Sequence, residues 1–587
     1  MELARTVKCN YWLVCLIIMG EDNGFGSEDI QTVKKYALQN AIEYGGEGKT
    51  GSVLGRVLAE RTDLRPHAKR LLELIDYEVE IANSLTNEQG IEVARSELEK
   101  IDPQALEREK HQKKEGLRDL PGDTSEVVLR FAPNPNGPLS IGHSRGVVIN
   151  SKYAEKYGGK IVLRFDDTDT RVKPPLMEAY KWIEEDFEWL SGRSADIVVR
   201  ASERMPIYLE RAEKMISEGH GYVCRCGAEE FRGFRESKTA CPCREREIGG
   251  SLEDWGAMNS GEMKEGEAVV RVRTDMNLPN PALRDWPALR IQHSPHPTVG
   301  DKYKVWPLLD FQSAVEDREQ GVTHIIRGKD LMDSTRKQTL LYEHFGWKYP
   351  ETLYWGRVKV HEFGGFSTSK MSSSIISGEY SSWEDSRLPT LMALRRRGFE
   401  AQSLIDLWGE IGLTQKDISI SMRTLESYNS KIIDKSCERR FFVSNPVPVE
   451  IRSENKPSEA EFVMHPDGEI SGVRKWEVGN SIFIQESDFK QGKLRLKDFA
   501  DIELMGSDAQ IEGEERSDER PIIHWLSEKI SREAKLFVPE GGEMRVISGM
   551  IEDFELRVGE VYQFERVGFA RLDRIDNDVA ELIWLHG

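Results

Sequence analysis

The sequence predicts a multidomain protein built around a doubly wound α/β fold, with a helical domain before it and an all-β region after it. Three observations carry this. Between residues 125 and 375 short apolar strands alternate with helical patterns, as in a parallel sheet covered on both faces. Residues 20–115 show only helical periodicity. From residue 440 the pattern becomes short strands separated by Gly, Pro and Asp. A chain of 587 residues exceeds what one core can organise, and 39% hydrophobic with 31% charged residues describes a soluble globular protein. The net charge of -20 argues against general affinity for nucleic acid, yet a local basic stripe survives within such a sum.

Taken in order, the apolar run at residues 11–19 follows Arg5 and Lys8 and faintly imitates a signal peptide. It is too short to span a membrane and no small-residue cleavage site follows, so an overextended start or a tail is expected. Seven cysteines, four of them clustered, point to a reducing compartment, and a cytoplasmic protein is expected. In the helical domain, Ser27 is the expected N-cap, Ile30, Val33, Ala37 and Ala41 share a face, and Gly45-Gly46 stops the run. Further helices are expected at 53–60, 67–85 and 90–101. The pattern assigns this domain no chemistry beyond packing or docking a protein partner. Residues 117–125, with Pro121-Gly122-Asp123, form a linker.

The first half of the α/β fold spans 125–222. Glu126-Val127-Val128-Leu129 reads as a buried strand; Arg130-Phe131-Ala132-Pro133-Asn134-Pro135-Asn136-Gly137-Pro138-Leu139-Ser140-Ile141-Gly142-His143 follows, and a helix starts at Gly142. A helix N-terminus offers unpaired N–H groups and a positive dipole end to a phosphate, and His143 could donate to the same anion. Alone, Gly-His here would be a surface or capping pair. Residues 160–165 form a second strand that delivers Asp166 to its carboxyl end, where such folds bind ligands; acid-rich strand ends are otherwise solvated turns or caps.

Residues 223–300 read as an insertion. Cys224, Cys226, Cys241 and Cys243 come as two close pairs, the ligand count of a closed tetrahedral zinc site, with free structural thiols as the alternative. Residues 301–375 hold the second half, where a strand at 321–326 delivers Arg327 and Lys329. Ser367-Thr368-Ser369-Lys370-Met371-Ser372 is a Ser/Lys loop bounded by glycines, either phosphate-contacting or plain surface. Residues 376–438 are helical, and Arg395-Arg396-Arg397 crowds three cations into a helix's last turn; the dipole accounts for them, and on an acidic protein an RNA-backbone contact does so better. Residues 439–587 are the β region, with strands expected at 441–443, 447–449, 481–484, 494–496, 502–504 and 554–558.

The run at 130–143 resembles the first signature of class I aminoacyl-tRNA synthetases, in the form found in the glutamyl and glutaminyl enzymes. Arg164-Phe165-Asp166-Asp167-Thr168-Asp169 is similar to their acidic block, residues 367–374 to their Lys/Ser loop, and Val561-Tyr562-Gln563-Phe564 to the ending of archaeal and eukaryotic members. Two registers fit the loop, with Lys370 its only lysine in both. The resemblance implies a Rossmann-like catalytic domain with an inserted acceptor-binding domain and anticodon-binding β-barrels. It implies that ATP, with Mg2+, joins L-glutamate to tRNA(Glu) through an adenylate, with tRNA(Gln) left open as a second acceptor. Ser140, Gly142, His143, Ser369 and Lys370 would bind ATP, with His143 and Lys370 catalytic; Arg130, Asn134, Asp166 and Arg327 would bind glutamate; Arg395, Arg396 and Arg397 would contact tRNA; and the four cysteines would hold structural zinc. Two departures stand out: Ser140 replaces a histidine, and Leu309 replaces a tyrosine that reads the substrate side chain. A glutaminyl enzyme, a transferase acting on a modified tRNA base and an inactive tRNA-binding paralogue are the rivals. Phe131-Ala132-Pro133-Asn134-Pro135, the β region, and retention of His143 and Lys370 argue against them in turn.

Overall fold

The computed structural model describes residues 25–102, 117–364, 367–454, 456–467 and 470–587. The apolar run at 11–19 lies outside them. The described residues fall into two compact units, 25–102 and 117–587.

The first unit is a bundle of α1 (Ser27–Glu43), α2 (Thr50–Glu60), α3 (Ala68–Gln89) and α4 (Ile91–Ile101). Val33, Ala37 and Ala41 enter its core with Val53, Val57, Leu71, Ile75 and Leu98. Ser27 is not the N-cap: Gly26 occupies that position, and its N–H donates to the Asp29 carboxylate at 2.9 Å. An acid in the first turn thus does the capping that the hydroxyl was expected to do.

In the second unit come β1 (Val128–Phe131), α5 (Ile141–Tyr157), β2 (Lys160–Phe165), α6 (Met177–Ser191), β3 (Ile197–Arg200) and α7 (Met205–Ser217). The insertion follows as β4 (Gly221–Cys224), α8 (Ala228–Ser237), α9 (Ile248–Ser260), β5 (Val269–Val272), β6 (Pro287–Ile291) and β7 (Val305–Pro307), its strands forming one antiparallel sheet. β7 lies beyond the expected end of the insertion at residue 300, and Val305 and Trp306 bury into the insertion's core. The α/β fold resumes with α10 (Leu309–Glu319), β8 (His324–Gly328), α11 (Met332–Phe345) and β9 (Glu351–Trp355).

Strands β1, β2 and β3 are parallel neighbours, as are β8 and β9. Thr323 joins the halves: its N–H donates to the Val128 carbonyl at 3.0 Å, and its hydroxyl accepts from the Val128 N–H at 2.9 Å. The resulting order, β3-β2-β1-β8-β9, reverses between β1 and β8, the switch point beyond which doubly wound sheets bind ligands. Gly146 of α5 allows this helix to lie close on β1, since a Cβ there would meet Phe131 Cε2 at 2.9 Å.

Next are β10 (Val358–Val360), α12 (Thr368–Ile376), α13 (Leu391–Arg397), α14 (Ala401–Ile411), β11 (Ile418–Ile420) and α15 (Met422–Ile433). The Ser/Lys segment expected as a loop is largely the helix α12. Ser367 caps it, accepting the Lys370 N–H at 3.3 Å, and Met371 is buried beneath. The β region holds two seven-stranded sheets, each with its own core. Residues 554–558 do not form the expected strand; Glu555 takes a positive φ of 44°, which breaks extended pairing.

Candidate active site

A cleft of about 710 Å³ opens at the carboxyl ends of β1 and β8, lined by Arg130, Asn134, Ser140, Gly142, His143, Arg327 and Ser369 among others. Its floor is a buried charge network. Arg164 of β2 donates through Nη1 to Asp317 Oδ1 at 2.7 Å, and Arg130 of β1 reaches the same oxygen through Nε at 3.3 Å. Arg164 also donates through Nε to Asp166 Oδ1 at 2.7 Å. Burial alone would raise the Asp317 carboxyl, but Arg130, Arg164 and Arg327 outweigh it and hold it below the usual carboxylate range. Glu316 is engaged elsewhere, by Arg204 and Tyr208. Arg130 and Arg164 are thus matched by the Asp166 and Asp317 carboxylates, while Arg327 makes its hydrogen bonds to neutral Gln338 and Tyr349 and has no carboxylate paired to it among the described residues. Such a floor fits an anionic small molecule, because guanidinium and carboxylate pair with matched geometry.

Arg327 is oriented from the far side. It donates through Nη2 to Gln338 Oε1 at 2.9 Å and to the Tyr349 hydroxyl at 3.0 Å, while Tyr349 donates to the same Gln338 oxygen at 2.6 Å. Its buried Nε has no hydrogen-bond partner within the described residues.

The other end of the cleft is the N-terminus of α5. The Ser140 N–H donates to His143 Nδ1 at 3.2 Å, and the Ser140 hydroxyl lies 3.1 Å from the same nitrogen. His143 is exposed to the cleft; partial desolvation beside the cleft walls, and then the Lys173 ammonium, lower the imidazole from its usual range. A neutral His143 that accepts at Nδ1 carries its proton on Nε2, which leaves a donor for an anion at the helix N-terminus.

Apart from the cleft, Cys224 and Cys241 bring their sulfurs to 3.9 Å, Cys226 and Cys243 to 3.8 Å, and all four lie within 4.8 Å of one another. These distances are too long for disulfides. A regular tetrahedron of sulfurs about 2.3 Å from zinc has edges of about 3.8 Å, so the four residues fit the ion. A hydrogen bond from Cys224 is the largest cause holding the Cys241 thiol down, to about 5.

The whole length of the α/β fold and part of the β region match family models. Residues 126–435 match "tRNA synthetases class I (E and Q), catalytic domain", and residues 437–517 match the corresponding anti-codon binding domain. The glutamate–tRNA ligase of Methanosarcina mazei is 44% identical, covering 95% of this chain and 99% of the relative. That of Archaeoglobus fulgidus is 42% identical, over 94% and 98% respectively. That of Pyrococcus furiosus is 41% identical, with 94% and 98% covered. The chain belongs to the class I glutamyl and glutaminyl aminoacyl-tRNA synthetases.

Set against that family, the expected residues divide. Arg130, Asn134, Ser140, Gly142, His143, Arg327 and Ser369 share the cleft. Lys370 sits in the first turn of α12, exposed, beside Ser369 and outside the cleft lining. Asp166 points into the floor: Oδ1 accepts from Arg164 and from Gln312 Nε2, each at 2.7 Å, while Asn134 Nδ2 donates to its backbone carbonyl at 2.9 Å. The rest of the acidic block and the residue after it bond both within the first half of the fold and to the insertion. Asp167 accepts from Tyr180 and Ser202, and Thr170 donates to the Ser294 carbonyl. Of the three arginines, Arg395 pairs with Asp186 and Arg396 with Asp573 along one shallow surface concavity. Arg397 is buried and donates to the Leu585 carbonyl at 2.7 Å, which keeps it off that surface.

The sequence reading missed Arg164, Asp317, Gln312 and Tyr349. A signal for the first was present: Arg130-Phe131 and Arg164-Phe165 end β1 and β2 alike, so both arginines hold the penultimate strand position. The partners on α10 and beyond β8 had no local signal.

Proposed function

We propose that this chain uses ATP to attach L-glutamate to tRNA(Glu) by way of a glutamyl-adenylate, acting in the cytoplasm. The single observation that carries the reading is Arg327 at the cleft, held by neutral Gln338 and Tyr349 with no carboxylate paired to it among the described residues, beside Arg130 and Arg164, which Asp166 and Asp317 already match. Glutamate brings the matching side-chain carboxylate; glutamine does not. Near full-length similarity to glutamate–tRNA ligases supports the same substrate.

In activation, an α-carboxylate oxygen attacks the α-phosphate of ATP, a new O–P bond forms and pyrophosphate leaves. The terminal-adenosine 2'-hydroxyl then attacks the activated carbonyl and AMP leaves. No side chain is needed as a nucleophile; alignment and stabilisation of charge carry the rate. Arg130 and Arg327 hold the side-chain carboxylate, Asn134 and Asp166 the amino-acid end, and Gly142 and His143 the phosphates. Ser140, whose hydroxyl stands beside His143 Nδ1, orients that imidazole as well as facing ATP. Ser369 and Lys370, on α12, approach the departing phosphates when that segment closes. Mg2+ accompanies ATP and supplies counter-charge to its phosphates. Arg395 and Arg396 meet the tRNA backbone.

The four cysteines hold zinc in a structural role, since four protein ligands leave no position for a reacting water. The ion fastens the turn after β4 to the segment before α9.

The test is aminoacylation of total tRNA with labelled glutamate and labelled glutamine in parallel. Glutamate on the glutamate isoacceptor is the expected result. Glutamate also on tRNA(Gln) would make the enzyme non-discriminating; glutamine alone would overturn the assignment of the floor.

A further inference from the structure

The cleft contains a cation that neither the signature run nor the Ser/Lys segment supplies. Lys173 follows the acidic block on a short connection between β2 and α6, lines the cleft, and is exposed to it. It makes no ion pair or hydrogen bond among the described residues. Lysines at protein surfaces are ordinarily solvated, but this one is aimed by its connection.

That connection is fastened at both ends. Asp169 Oδ1 accepts the N–H groups of Arg171 and Val172, at 3.1 and 3.0 Å, closing a tight turn just before Lys173. Asp169 is itself held by Arg290 Nη2 at 3.1 Å. On the other side Pro174 and Pro175 stiffen the chain, and the Leu176 N–H donates to the Pro135 carbonyl at 2.9 Å, tying the connection to the signature run. Pro135 lies between β1 and α5, so the run that carries His143 and the turn that carries Lys173 are joined by backbone. The proximity is also electrostatic: the Lys173 ammonium is one of the two causes that lower the His143 imidazole.

We propose that Lys173 is a further catalytic residue, contacting the phosphates of ATP beside Gly142 and His143. This rests on the ATP end of the cleft being where the proposed function puts it. The chemistry is direct. A neutral His143 and the N–H groups of α5 offer dipoles to a polyanion, and Ser140 replaces the histidine of the family signature, so the two signature positions bring no full charge to that end. Lys173 brings it, from a turn already braced. Lys370 then adds charge at the departing phosphates as α12 approaches, so the triphosphate meets two ammonium groups from separate segments.

The test compares Lys173→Gln, Lys173→Arg and His143→Ala in the full-length enzyme with tRNA, titrating ATP and then glutamate in the aminoacylation assay. Lys173→Gln is expected to lower kcat/KM for ATP about 10- to 100-fold while KM for glutamate stays within about twofold, and Lys173→Arg to recover part of the loss. A merely structural lysine would move both substrates together, or neither, and would overturn the proposal. If His143→Ala collapses ATP use while Lys173→Gln leaves it unchanged, Lys173 fails and the ATP end stands. If neither variant affects ATP, the ATP end itself is misassigned and both fall.

Discussion

Arg164 and Asp317 meet at 2.7 Å with neither side chain exposed to solvent. Removing one member of such a pair leaves an uncompensated buried charge and costs about 3–5 kcal/mol. Here the cost compounds, because Arg130 uses the same Asp317 oxygen. Asp317→Asn is therefore expected to lower the thermal unfolding temperature by several degrees and to abolish glutamate activation together with it. A variant that unfolds like the parent chain would mean that Arg130 and Arg164 find other counter-charges.

Tyr349 acts on the same floor without belonging to the ion network. Its hydroxyl accepts from Arg327 and donates to Gln338, while its ring packs edge-on to Tyr342 with centroids 4.9 Å apart. Tyr349→Phe keeps the ring and loses the hydroxyl, so Arg327 gains freedom while the core is unchanged. One hydrogen bond to a charged group is worth about 1.5–3 kcal/mol; KM for glutamate is expected to rise roughly tenfold or more, with KM for ATP unmoved. An unchanged glutamate KM would show that Gln338 alone fixes Arg327.

How far this site could be read from the sequence follows from how local its parts are. The α5 N-terminus, Ser140 and His143 lie within one turn, and strand-end arginines announce themselves through apolar runs that stop at a charge. Asp317 and Gln312 are on α10, separated from Arg164 by the entire insertion, and nothing in a helical repeat marks which polar side chains face a sheet. The acidic block was legible only in part, for a related reason. Its first carboxylate stands where an ammonium would be received, but the spacing gave no sign that Arg164, two residues earlier, folds back onto it. Arg397 failed likewise: three adjacent arginines on a helix point in three directions, and only packing against the last strand of the β region decides which is buried. In the fold itself, strand and helix periods sufficed for the α/β order, whereas Glu555 and the Ser367 cap changed local outcomes at single residues.

The cysteine cluster predicts a metal content. Purified protein is expected to carry about one zinc per chain, measured by elemental analysis, and Cys241→Ser is expected to lose it. Because the ion would fasten segments 17 residues apart in sequence, the variant should unfold at lower temperature and show raised KM for tRNA while activation without the acceptor end suffers less. Four thiols that titrate freely with a disulfide reagent in the native enzyme, with no bound zinc, would establish them as structural thiols.

His586 predicts how acid acts on the join between the β region and the helices. It ends the last strand, fully buried, with Nε2 accepting from Asn429 Nδ2 at 3.1 Å. Asn429 lies on α15 and also accepts the Glu400 N–H at 2.8 Å, and Arg397 of α13 donates to the neighbouring Leu585 carbonyl. Burial first, and then the Arg397 charge, bring the imidazole down to about 4. In the unfolded chain it titrates near 6.5. Above that pH both states are neutral and the group has no effect on stability; as pH falls the unfolded chain takes up the proton first, so stability is lost through the window from about 6.5 to 4. The loss reaches about 2 kcal/mol at pH 5 and about 3 kcal/mol at pH 4. His586→Gln retains an acceptor for Asn429 and titrates nothing, so its unfolding temperature should fall less than the parent's between pH 7 and pH 5. Parallel curves for the two proteins would place the acid sensitivity elsewhere. A steeper fall in the parent would show that this buried imidazole, facing Arg397, sets the lower pH at which the helical region and the β region stay joined.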